Sequence, residues 1–202
     1  MPNIVKHATR EGWLMAAVAL LDKEFFHGRG YSLPEKIQCS CGFPRGHAKA
    51  IGQCWDPKVS ADKTTHLFIC PTQADPIRVL DILLHELIHA SVGVEVGHKG
   101  VFKKLVKEFG LAGKMTATYA EEGSEVWLKL SSISTALGKY PHAPMQKRDK
   151  KKGSGGSGWV RLVSTENEKF KVVISPKMIA EFGMPQDPWG KEMVAVDGGE
   201  DE

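Results

Sequence analysis

Apolar residues recur every three to four positions over residues 9–26, where Trp13, Leu14, Ala17, Leu20 and Leu21 share one side. That period predicts an amphipathic helix, with Thr9 as its N-cap and Gly28-Arg29-Gly30 as its stop. Over residues 37–43 the period drops to two, so Ile37, Cys39, Cys41 and Phe43 fall on one face of a strand. Residues 50–55 and 66–70 predict two more strands, separated by turn residues at Asp56-Pro57 and Ser60-Ala61-Asp62-Lys63. Helical spacing then returns three times. Residues 77–91 follow an Asp75 cap and Pro76 at the first helical position, and bury Leu80, Leu83, Leu84, Leu87 and Ile88. Gly93 and Gly97 break that helix. Residues 99–109 place Phe102, Leu105, Val106 and Phe109 on one stripe, and residues 124–137 do the same with Val126, Leu130, Ile133 and Leu137.

The pattern changes character after residue 138. Lys147, Arg148, Lys150, Lys151 and Lys152 form a basic run, and Gly153-Ser154-Gly155-Gly156-Ser157-Gly158 has flexible-linker composition. Strand-like patterning resumes at 159–163 and 169–174. A short helix capped by Ser175 and Pro176 and a last strand at 192–196 follow. This predicts four segments: a first domain at 1–140, a linker at 141–158, a small β-rich domain at 159–197 and an acidic tail at 198–202. Trp159, Val160, Leu162, Phe170, Val172, Ile174, Phe182 and Trp189 are the expected core of the small domain. Trp55 and Trp127 are expected in the core of the first.

Composition narrows the class. The chain has 202 residues, of which 42% are hydrophobic and 25% charged, values that exclude wholesale disorder. No apolar run approaches the ~20 residues that span a bilayer. The net charge of +3 is too weak to mark a nucleic-acid binder by itself. Residues 13–21 have the length of a signal-peptide core, but Asp22-Lys23-Glu24 follows at once with no small-residue cleavage site. The expectation is a cytoplasmic monomer with no membrane partner.

His85-Glu86-Leu87-Ile88-His89 carries the chemistry. Histidines at i and i+4 on a helix lie on one face, ~5–6 Å apart at Cβ, and can converge on one zinc ion. Glu86 can reach the water on that metal, whose pKa is lowered to about 7, and act as its base. A fixed-spacing His/Glu/His triple arises by chance in roughly 2% of chains of this composition. A catalytic zinc has three protein ligands and an open position. His98, which follows the glycine-broken loop, is the expected third ligand, ahead of Glu95; His142 is a further candidate.

The stretch from His85 to Ala90, followed by Gly97-His98-Lys99-Gly100-Val101-Phe102, resembles the core of the SprT-like zinc metallopeptidases, the family of the Spartan proteases that cut proteins crosslinked to DNA. Lys99 stands where the family often has glycine. The likeness covers about residues 12–138. It extends to shorter phage-encoded members around Gly113-Lys114-Met115-Thr116-Ala117-Thr118. The resemblance implies an α+β, zincin-like catalytic domain with a small sheet packed on helices. It also implies a zinc-dependent endopeptidase acting on a protein substrate. Family members often end in a zinc ribbon with two CxxC pairs. Here the last segment keeps the ribbon's rhythm without any cysteine.

Several readings stay open. Cys39, Cys41, Cys54 and Cys70 could form a second metal site with His47 or His66, or serve as small buried hydrophobes. Tyr119, Tyr140, His142 and Arg45 are candidate donors to the oxyanion of peptide hydrolysis. The run at 147–152 is either a solvated linker or an arm that contacts DNA phosphates. The alternative to a protease is a DNA- or protein-binding module with a structural or regulatory zinc site.

Overall fold

A computed structural model describes residues 7–44, 50–146 and 158–196. The basic run at 147–152, the Gly/Ser stretch up to 157 and the acidic tail lie outside the described residues. The chain divides into two compact units, Met1–Lys147 and Arg148–Glu202. Among the described residues, no helix is long and apolar enough to cross a membrane.

The first unit mixes helices with small sheets. Helix α1 (Arg10–Leu21) begins where the Thr9 hydroxyl accepts from the Gly12 N–H, satisfying one of the helix's unpaired donors. Its continuation, Asp22–Phe26, widens into a π-helical turn. Both Phe25 and Phe26 thereby pack against Phe109, with ring centroids 5.4 and 5.1 Å away. Strands β1 (Ile37–Cys41), β2 (Gly52–Trp55) and β3 (Thr65–Ile69) form a sheet with β3 in the middle. β1 runs parallel to β3 and β2 antiparallel, so Cys39, Leu67 and Cys54 form one row across it.

Helix α2 (Pro76–Val92) is the centre of this unit. The Asp75 carboxylate accepts from the Arg78 N–H, and Pro76 occupies the first turn without wasting a donor. Every residue from Val79 to His89 is buried, because β2 and β3 cover one side of the helix while α1, α3 (Gly100–Glu108) and α4 (Glu125–Leu137) cover others. A hairpin of β4 (Ala112–Lys114) and β5 (Ala117–Tyr119) covers its remaining polar side. Three-residue strands are too short to show a period, so hydrophobic patterning does not announce this hairpin.

Arg10 is buried, and its guanidinium donates to the carbonyls of Pro71, Pro141 and Ala143 at 2.8–3.0 Å. A buried charge persists only with such partners. Met145 N–H also donates to Pro71 O at 2.9 Å. The first unit thus reaches past residue 140, and residues 141–145, expected to begin a linker, are tied into it. Trp55 and Trp127, expected in the core, are only half-buried.

The second unit pairs β6 (Val160–Val163) with β7 (Lys171–Ile174) and with β8 (Val194–Val196), both antiparallel. The short helix α5 (Pro176–Phe182) is capped by Ser175. The expected aromatic core does not form. Trp159, Phe182 and Trp189 are 69%, 71% and 56% exposed, and the buried apolar residues are Leu162, Val163 and Met193. Such a short segment has too little chain to wrap four large rings. Buried Asp187 supplies order instead, accepting from the Ser164 hydroxyl and from the N–H groups of Trp189 and Lys191.

Candidate metal centre

The C-terminal half of α2 carries His85 and His89 on one face, one turn apart. Gly93, at φ 95°, ends the helix in a conformation that side chains disfavour, and Gly97 repeats the device at φ 58°. Between them a 3-10 turn, Val94–Val96, reverses the chain. His98 returns to the pair, and its Nε2 lies 3.2 Å from His89 Nε2. One ligand atom from each of the three rings lies within 4.8 Å of the others. Phe102 from α3 stacks on His89, with ring centroids 4.2 Å apart, and meets the His98 ring at a near-right angle.

The donor set fits a divalent ion. With bonds of ~2.0–2.1 Å, two nitrogens of a tetrahedral centre stand roughly 3.3 Å apart. The His89–His98 separation meets that value. Burial drives the imidazole of His85 down to about 3 and that of His89 down to about 4, with the neighbouring rings adding to both; burial lowers His98 as well. All three rings are neutral at pH 7 and present lone pairs. His85 Nδ1 is engaged by Thr118 Oγ1 at 2.8 Å, which leaves its Nε2 for the cluster. His85, His89 and His98 could hold a metal ion.

Glu86 points into the same cleft and is only 6% exposed. Burial pushes its carboxyl up to about 8, opposed by a hydrogen bond from the Cys54 N–H. The cleft has a volume of about 670 Å³ and runs between β2 and the β4–β5 hairpin.

No family model, curated protein or solved structure matches the chain. Fold alone would not assign an activity in any case; the chemistry of the site must do so.

The other sequence candidates fall away from the cluster. Glu95 folds its carboxylate back over Gly93. His142 is exposed and does not line the cleft. Tyr140 is buried beside Cys41 and edge-on to Trp13, a core role, and Tyr119 is half-exposed outside the cleft. Arg45 and His47 lie outside the described residues. The four cysteines are free, and among the described residues no cysteine joins a cluster able to hold a metal. Burial raises the Cys39 thiol to about 12, as for a packed hydrophobe.

Two residues of the site escape hydrophobic patterning. Thr118 sits on the hairpin that the pattern does not predict. Gly52 lies within the predicted strand 50–55, and a glycine inside a strand signals close backbone approach. A Cβ at Gly52 would collide with the Glu86 carboxylate and come within 2.7 Å of Ile82 Cγ2. Gly52→Ala is therefore expected to lose about 1–3 kcal/mol of stability and to displace Glu86. Urea unfolding of the metal-free protein measures the first effect.

The difference in pH dependence between the metal-free parent and Glu86→Gln isolates Glu86. The three histidines have folded pKa values below their ordinary 6.5, so stability is lost as pH falls through 6.5; because the unfolded rings are still partly protonated at 6.5, their contribution rises from there toward 8, equally in the parent and in Glu86→Gln. Glu86 has a raised folded pKa, so between pH 6.5 and 8 the folded state holds a proton that the unfolded chain has released. Across that window the parent is expected to lose about 2 kcal/mol of stability relative to Glu86→Gln, in which the histidine contribution is the same. Denaturant midpoints at pH 6.5 and 8 check this.

Proposed function

We propose that the chain is a zinc-dependent endopeptidase of the SprT type, with a zincin-like first unit, which hydrolyses peptide bonds in a protein substrate. The observation that carries this reading is the convergence of His85, His89 and His98 with the buried Glu86 carboxylate in one cleft. The likeness of residues 85–102 to the family core supports it, as does the α+β arrangement around α2.

The strand beside the cleft supports a peptide substrate. Cys70 N–H donates to Ile51 O, so in the antiparallel β2–β3 pair the main-chain groups of Gly52 and Cys54 point away from β3. Among the described residues β2 is an edge strand, and the Cys54 N–H is already given to Glu86. Gly52 N–H, Gly52 C=O and Cys54 C=O remain on the free edge. An extended substrate segment can add there as a further strand, which presents its peptide bonds to the histidine cluster.

The histidines would hold the ion through ring nitrogens. A bound zinc supplies Lewis acidity to a substrate carbonyl and lowers the pKa of its water to about 7. Glu86 accepts the proton of the attacking water at its carboxylate and delivers it to the leaving amine nitrogen. Gly52 keeps that carboxylate against β2, and the apolar wall at Ile82 limits its access to bulk water.

The test loads the purified full chain with one equivalent of zinc and incubates it with an unfolded protein and with a DNA-bound protein. Cleavage that stops on chelation and returns with zinc is expected. A chain that binds zinc yet cleaves neither substrate would overturn the reading in favour of a binding module with a structural or regulatory ion.

A further inference from the structure

Thr118 is the residue of this site that neither the motif nor the family likeness brings forward as a functional group. Its side chain is buried, and its hydroxyl oxygen lies 2.8 Å from His85 Nδ1. The main chain that presents it is clamped to α2. Arg78 Nη1 donates to Thr118 O at 3.1 Å and to Asp81 Oδ1 at 2.6 Å. Asp81 Oδ2 accepts from the Ala120 N–H at 3.2 Å. Arg78, Asp81 and His85 are spaced i, i+3 and i+7, so they lie along one face of α2. The guanidinium and carboxylate therefore grip the main chain on either side of Tyr119, directly after Thr118, from two turns and one turn before the first histidine. His89 offers a contrast: among the described residues its buried Nδ1 has no hydrogen-bond partner, and stacking on Phe102 orients its ring instead.

We propose that Thr118 is a positioning residue for the metal centre: its hydroxyl accepts the Nδ1 proton of His85, fixing the tautomer that turns Nε2 toward the cation, while Arg78 and Asp81 hold the hairpin that carries it. This rests on the reading of the histidine cluster as a zinc site. Metal-bound histidines gain both ring orientation and basicity from a partner at the other nitrogen, and loss of such a partner weakens metal affinity 10–100-fold.

The experiment measures zinc affinity of the full chain by competition with a chromophoric chelator. Thr118→Val keeps the side-chain shape and removes the acceptor; it is expected to bind zinc 10–100-fold more weakly. Thr118→Ser restores the hydroxyl and is expected to bind close to the parent. Nitrogen-detected NMR of the zinc-loaded parent is expected to show the His85 proton on Nδ1 and the metal on Nε2, an outcome that needs no variant to fold. Parental affinity in Thr118→Val beside lost affinity in His89→Ala would overturn the role of Thr118 alone, as would a His85 metallated at Nδ1. A parent chain that binds no zinc would instead overturn the metal centre, and the role of Thr118 with it.

Discussion

Glu86→Gln is expected to retain one zinc per chain while losing peptide hydrolysis by 10²–10⁴-fold, the usual contribution of a positioned general base. The two effects separate because the residue neighbours the cluster without belonging to it. Glutamine keeps the shape and can still accept the Cys54 N–H at its amide oxygen, so β2 and Ile82 stay packed. What is lost is the ability to take and return a proton. A carboxyl pushed up to about 8 by burial is a stronger base than an exposed one, and a dication in the cleft would pull it back toward ionisation. A general base whose pKa is close to working pH transfers protons efficiently in both directions. Single-turnover cleavage beside metal analysis measures the pair of outcomes. Cleavage at the parental rate would remove Glu86 from the mechanism.

His89→Ala is expected to abolish stoichiometric zinc binding. The ring supplies a nitrogen 3.2 Å from that of His98 and fills the space over Phe102. Its removal leaves two of three donors, a larger loss than the 10–100-fold cost of an outer-shell partner. Thermal unfolding gives an independent readout. At a free zinc concentration a thousandfold above Kd, the parent gains about 4.1 kcal/mol from binding. For a chain of this size that corresponds to a Tm increase of roughly 10 °C. The variant is expected to show no such increase. An equal rise in His89→Ala would place the ion elsewhere.

Features whose cause is local were legible from the amino-acid order alone. Periodicity located α1, α3, α4 and β3 because each buries one face and leaves the other more open; α2, buried all round from Val79 to His89, showed itself through its Asp75–Pro76 start and its long apolar spacing. Thr9, Asp75 and Ser175 marked helix starts because their side chains bond the first free N–H groups. The i, i+4 spacing placed His85 and His89 on one helix face, and the two glycines made the return of His98 available. Tertiary packing decided what no local pattern encodes. Thr118 reaches His85 across 33 positions, and Arg10 finds its carbonyls 61 to 133 positions away. The value of Gly52 exists only once β2 lies against α2. The second unit went the other way: its aromatic residues looked like a core in sequence, but a core also needs enough chain to surround it. Spacing can bring residues onto one face of one element. Which elements then face each other is set by how the whole apolar surface is buried, and that balance is not contained in any single stretch.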